Sequence, residues 1–136
     1  MNSILLVDTD VLSAVLRRHP LAFARANAYA LHHSKLTFSA ITRFEILRGL
    51  KARSASRQQS DFEIFCSENV ILPLTDGVID RSAEIFAHLY RRGQLIGDAD
   101  IFIAATALEH GMGVVTNNVA HFSRVPGLHV ENWLVS

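Results

Sequence analysis

Short apolar runs alternate with longer helix-periodic stretches along this chain. Ile4 to Val7 is a continuous apolar run ending at Asp8, a pattern that predicts a buried central strand with Asp8 at its carboxyl end. Val11 to Arg18 reads as helix, Pro20 forces a break, and an Ala-rich helix is expected from Leu21 to about His33. Leu36 to Phe38 predicts a second strand. Ser39 has the chemistry of an N-cap for a helix whose apolar stripe is Ile41, Phe44, Leu47 and Leu50, with Glu45 off that stripe. Lys51 to Ser60 is polar, either a loop or the exposed start of a helix carrying Phe62 and Phe65. Val70 to Leu74, interrupted by Pro73, predicts a third strand. Asp76 to Arg92 is a long helix with Ile79, Ala83, Phe86 and Leu89 or Tyr90 on one side and Gly93 as its stop. A helix from Gly97 to His110, closed by Gly111, is followed by strands at Gly113 to Thr116 and Leu128 to Val130. This alternation implies an α/β fold with a parallel sheet covered on both faces.

The length allows one real core and leaves no room for two ordinary domains, so residues 1–136 are read as one domain. The opening MNSILLVDTD has too few apolar residues for a signal-peptide core or a membrane span, which predicts a soluble, cytoplasmic protein without a membrane partner. With Cys66 alone, an internal disulfide framework and a paired-cysteine zinc site are excluded. The formal charge is zero, but its distribution is not even. Residues 1–57 hold nine Lys or Arg against three acids, and residues 58–136 hold four against ten. If Asp8, Asp10, Glu45, Asp98 and Asp100 face a cation, the rest of the chain carries a balance of +5, which suits a polyanionic substrate.

Those acids are the candidate chemistry. In an open parallel sheet, ligands bind beyond the carboxyl ends of the strands, where Asp8 and the segment Thr116 to Asn118 both fall. Asp98 and Asp100 lie in the first turn of a helix, and Glu45 lies mid-helix, three residues before Arg48. Each has a plain reading as a cap or a surface charge. Together they do not: two carboxylates about 4 Å apart repel by roughly 4 kcal/mol at an effective dielectric near 20. A gathering of three or four calls for a cation. Oxygen donors without Cys or paired His favour Mg²⁺ or Mn²⁺, ions that bind phosphates and activate water.

Four blocks then carry a resemblance. VDTDVLSAVL, ITRFEILRGLKA, IGDADIFIAATALEHG and VTNNVAHFSRVPGLHVENW together resemble a PIN-domain protein of the VapC toxin type, in family order and over nearly the whole chain. The resemblance implies a PIN-like three-layer sandwich, a five-stranded parallel sheet flanked by helices. It also implies Mg²⁺- or Mn²⁺-dependent endoribonuclease activity on transfer or ribosomal RNA, a cognate VapB-type antitoxin, and a homodimer. Matched motif to motif, the family acids fall on Asp8, Glu45 and Asp100, with Asp98 as a further candidate ligand. Where many PIN domains carry a fourth acid after the VT of the later strand, this chain has Asn117 and Asn118, so Asn118 has only an amide oxygen to offer a metal.

Thr9 and Thr116, beside strand-end positions, are candidates to hold a carboxylate or a phosphate. Arg17, Arg18, Arg43, Arg48, Lys51 and Arg53 come from the basic half and are candidates for phosphate contacts. Phe44, Phe62, Phe65, Phe86 and Phe102 sit at helical spacings that favour the core over RNA stacking. Two rivals share features of the sequence. DTDVL approximates the start of haloacid-dehalogenase-like phosphatases, which also need a catalytic lysine that neither Lys35 nor Lys51 is placed to supply. A catalytically inactive PIN-like binding module is the second rival.

Overall fold

The computed structural model describes residues 4–136. In chain order the elements are β1 (Leu5–Val7), α1 (Thr9–Leu16), α2 (Pro20–His33), β2 (Thr37–Ser39), α3 (Ala40–Ala52), α4 (Ser56–Glu68), β3 (Val70–Leu72), α5 (Asp76–Arg91), α6 (Asp98–Glu109), β4 (Gly113–Val115), α7 (Val119–Phe122) and β5 (Val130–Glu131). All strand pairs are parallel, and the sheet order is β3-β2-β1-β4-β5. The order reverses at β1, so the carboxyl ends of β1 and β4 open onto the switch point where open sheets bind ligands.

Successive residues of a strand face opposite sides of a sheet. Leu5 and Val7 of β1 accordingly join one hydrophobic cluster, with Val11, Leu12, Val15, Phe38, Leu50 and Phe62, while Leu6 joins the other, with Val78, Leu89, Ile103, Val114 and Phe122. The sheet is thus the middle layer, with helices on both faces, as expected. Local chemistry sets the helix starts. Ser39 Oγ accepts from the backbone N–H of Thr42 at 3.1 Å, Thr75 Oγ1 from that of Val78 at 3.2 Å, and Pro20 opens α2. Gly93, at φ 64°, follows α5 where a left-handed residue is needed. Gly113 is required for a different reason: a Cβ there would lie 3.0 Å from the His129 carbonyl oxygen and 3.1 Å from Leu5.

Several boundaries and faces differ from the sequence reading. β3 stops at Leu72, before Pro73, and β5 is shifted to Val130–Glu131. The polar stretch divides: α3 continues to Ala52 and α4 starts at Ser56, so most of it is exposed helix. On α3, Phe44 is 56 % exposed and the buried residues are Thr42 and Leu50. On α5 the buried line is Val78, Ser82, Ile85 and Leu89, leaving Ile79, Ala83, Phe86 and Tyr90 on the exposed side. Two apolar stripes run along α5, and sequence spacing does not say which one the sheet takes. Phe44 and Phe86, expected in the core, are therefore surface residues. Phe62 is buried as expected and packs with Phe38 and Phe65.

Candidate active site

β1 ends at Val7, and Asp8 caps α1: its Oδ1 accepts from the Thr9 backbone N–H at 2.8 Å. Asp8 Oδ2 accepts from the Thr116 hydroxyl at 2.7 Å, and Thr116 Oγ1 in turn accepts from the Asn118 backbone N–H at 2.9 Å. Asp8 N–H donates to the Val115 carbonyl at 2.8 Å. The strand ends of β1 and β4 are therefore tied together through the candidate acid itself. Asp10 adds a second tie, accepting from the Val11 N–H at 2.7 Å and from the Asn117 N–H at 3.1 Å.

Two helices bring the other acids. From α3, Glu45 Oε1 accepts from the Thr9 hydroxyl at 2.6 Å, and Thr9 Oγ1 lies 3.0 Å from the buried Thr42 Oγ1. Thr9 thus joins α1 to α3, which is why Glu45 faces inward although it lies off the apolar stripe. Arg48 stands 3.6 Å from the other Glu45 oxygen, with its guanidinium over the Phe44 ring. From α6, Asp100 points toward Asn118 Nδ2 and His121 Nδ1, both 3.4 Å from its Oδ2, and those two nitrogens stand 2.6 Å apart.

The electrostatics show that these acids sense one another. Burial, then the charge of Asp10, push Asp8 up to about 7 from an ordinary 3.8, with Asp100 adding to the rise and the bonds from Thr116 and Thr9 opposing it. Burial also raises Asp10, against its hydrogen bonds from Val11 and Asn117. Asp100 is raised by burial first, with the charges of Glu45 and Asp10 adding and His121 opposing.

The sequence reading expected a tight carboxylate cluster. Among the described residues no three His, Cys, Asp or Glu side chains are close enough together to enclose a metal ion. The physical reason is visible in the partners: Asp8, Asp10 and Glu45 each direct oxygens at a donor of the protein, which spaces like charges apart. The donors still suit a hard dication. They are all oxygens, three of the carboxyls are raised above their ordinary range, and a dication is the charge that would reverse those shifts.

Not every expected site residue converges. Asp98 is exposed at the first position of α6, and none of the hydrogen bonds among the described residues links it to the other acids; Gly97, not Asp98, is the cap. Arg18 and Lys51 are exposed, and Arg18 stacks over Phe23. Arg43 pairs with Glu63 at 3.6 Å. Arg17 and Arg53 instead line a cleft of about 650 Å³ between α1, α3 and α4, which reaches Thr9 and Glu45. Two neighbours of the acids, His121 and Thr42, went unread in the sequence. His121 lies three residues after Asn118, a spacing that becomes meaningful only once the four-residue α7 turns it back toward Asp100.

The chain matches the family model of the PIN domain over residues 5–128. It is 35 % identical over 131 residues to "Ribonuclease VapC2" of Haemophilus influenzae, covering 95 % of this chain and 97 % of that protein. To the "tRNA(fMet)-specific endonuclease VapC" of Shigella flexneri it is 29 % identical, covering 94 % and 96 %. Among solved structures, the DNA-bound VapBC of Salmonella typhimurium superposes with a TM-score of 0.86 at 28 % identity, covering 97 % of this chain and 99 % of that one.

Proposed function

This chain belongs to the PIN-domain family, in its VapC ribonuclease group, and from that premise we propose that it is the endoribonuclease toxin of a type II toxin–antitoxin pair. The enzyme is a hydrolase acting on the phosphodiester bonds of RNA in the cytoplasm, as a single domain spanning 1–136. What supports this reading is that Asp8, Glu45 and Asp100, carried by three separate elements, each bond a residue just past the end of β1 or β4: Thr116, Thr9 and Asn118 respectively.

PIN ribonucleases depend on divalent metal. Asp8, Asp100 and Glu45 would hold Mg²⁺ or Mn²⁺ here, with the Asn118 amide oxygen as an uncharged addition. When bound, the ion polarises the phosphodiester and makes water more acidic. The residues of the chain do the rest. Thr116 fixes the rotamer of Asp8, Thr9 fixes that of Glu45, and Asn118 and His121 flank Asp100. In the metal-free protein burial favours the protonated form of Asp8, whose carboxyl is pushed up to about 7. Arg17 and Arg53, along the cleft that reaches Glu45, are the cations best placed for RNA phosphates, with Arg48 beside Glu45. Arg18 and Lys51 act at longer range as part of the basic half.

The substrate class is a structured RNA, transfer RNA or ribosomal RNA, as for the Shigella flexneri relative named for transfer RNA. The partner is a VapB-type antitoxin, by analogy with the VapBC complexes that share this fold. Family membership sets the phosphatase alternative aside. Among the described residues no helix is long and apolar enough to cross a membrane.

Purified protein incubated with total RNA tests the proposal. Discrete endonucleolytic fragments with Mn²⁺ or Mg²⁺, and none with EDTA, are expected. Metal binding without any cleavage would instead identify an inactive binding module, with Asn117 and Asn118 in place of an acid as its cause. Mapping of new 5′ ends in cells making the protein without its antitoxin then identifies the RNA.

A further inference from the structure

We propose that His121 is a positioning residue for Asn118: it holds the side-chain amide by its nitrogen, so that the oxygen is left free to serve as the uncharged metal donor. The assignment rests on the metal-dependent reading of this site and adds to it a residue that acts through another. Asn118 is the N-cap of α7. An asparagine in that place ordinarily turns its side-chain oxygen back to a backbone N–H of the first turn, and this one makes no such bond. Its backbone is nonetheless fixed: the N–H donates to Thr116 Oγ1 at 2.9 Å, and the carbonyl accepts from the N–H groups of His121 and Phe122 at 3.2 and 3.3 Å. Only the rotation of the amide is left to be decided.

Two acceptors decide it. Asn118 Nδ2 stands 2.6 Å from His121 Nδ1 and 3.4 Å from Asp100 Oδ2. An amide nitrogen can only donate, so His121 Nδ1 is the acceptor and the neutral ring carries its proton on Nε2. Half a turn of the amide would set its oxygen against both the Asp100 carboxylate and the Nδ1 lone pair, two repulsive contacts. With the nitrogen directed at His121 and Asp100, the Asn118 oxygen accepts no hydrogen bond among the described residues. Asn117 differs, because its amide oxygen already accepts from Asn132 Nδ2 at 3.2 Å. Packing does not account for the imidazole: Phe122 is the residue of α7 that is fully buried, whereas the His121 side chain is 41 % exposed. A carboxylate has no wrong face, but an amide turned the wrong way offers N–H groups to a cation. Where an asparagine replaces an acid, the group that fixes its rotation therefore matters to metal affinity.

Calorimetric titration of the full chain with Mn²⁺, without RNA, is the test. His121→Ala should weaken Mn²⁺ binding about 10-fold, with an unchanged circular dichroism spectrum. His121→Asn, whose amide oxygen can take the place of Nδ1, should bind within about 3-fold of wild type, whereas His121→Gln, whose oxygen reaches the place of Nε2, should be as weak as His121→Ala. In the Asn118→Ala chain, His121→Ala should cost no more than about a further 2-fold. Equal affinity of wild type and His121→Ala overturns the proposal. So does a His121 effect of full size in the Asn118→Ala chain, which would make the imidazole act on the ion or on Asp100 directly. Equal binding by His121→Asn and His121→Gln overturns it too, and that pair carries the test alone should His121→Ala unfold. A chain that binds Mn²⁺ and cleaves RNA, but is indifferent to these exchanges, loses this proposal only; one that binds no Mn²⁺ loses the metal-dependent reading and this proposal with it.

Discussion

Asp8-Thr9-Asp10 and Asp98-Ala99-Asp100 are the same local motif, acid-x-acid at the opening of a helix, yet the fold puts them to different uses. In the first, every member is engaged. Asp8 bonds Thr9 and Thr116, Thr9 bonds Glu45, and Asp10 bonds the backbone at Val11 and Asn117. In the second, Asp98 is exposed and Asp100 alone turns inward, to contacts no shorter than 3.4 Å. The difference lies in what precedes each motif. A buried strand drives Asp8 to the floor of the site, whereas an exposed Gly97 introduces Asp98, so α6 presents one acid to the site and the other to water. A helix-start acid becomes a site residue through what surrounds it.

Exchanging single acids breaks the comparison most sharply. Asp8→Asn and Asp100→Asn are each expected to lower RNA cleavage by about 10²- to 10⁴-fold, without unfolding, because removing like charge from a repulsive pocket does not destabilise it. Asp98→Asn, in water, should stay within about 2-fold, as screened surface charges do. Cleavage rates on one RNA, with melting curves for each variant, decide it; an Asp98 effect as large as that of Asp100 would erase the distinction between the two acids.

Thr116→Val probes the tie that the second motif lacks. It removes the hydroxyl that fixes Asp8 and satisfies the Asn118 N–H, so cleavage should fall about 10- to 100-fold. Stability should drop by about 1 kcal/mol, measured by urea denaturation.

The pH dependence of stability follows from the same burial. In the folded, metal-free protein Asp8 keeps its proton to about pH 7, while in the unfolded chain it releases it near 3.8. Between those values the folded state binds more protons, so the Asp8 contribution to stability falls as pH rises through that window and is flat above it. Asp10 and Asp100 are raised too and act in the same sense. Melting in EDTA should therefore be higher at pH 5 than at pH 8, and Asp8→Asn should flatten the profile and melt above wild type at pH 8. The smallest effect expected is on the free ion: Mn²⁺ at pH 8 should raise the wild-type melting temperature by a few degrees and leave Asp8→Asn unmoved.

The sequence was most legible where a residue's role depends on its neighbours in the chain. The apolar run before Asp8, Ser39 as a cap, Gly93 as a stop and the alternation that predicts a parallel sheet all rest on backbone chemistry within a few residues. The four family blocks likewise singled out Asp8, Glu45 and Asp100 as the acids whose exchange tests the proposal. It was least legible on the faces of helices. Phe44 and Phe86 sit at sound helical spacings, but Phe44 is turned to the surface while Ile41, Leu47 and Leu50 of its stripe pack inward, and α5 offers two apolar lines, of which the sheet takes one.

The chain by itself determined the order of its elements and the acids it carries to the strand ends, because backbone propensity and apolar runs act locally. Tertiary structure alone decided that Thr9 would hold Glu45, that His121 would stand by Asp100, and that Asp98 would be left in water. Those outcomes depend on distances between segments far apart in sequence, and only the packing of helices on both faces of one sheet sets them.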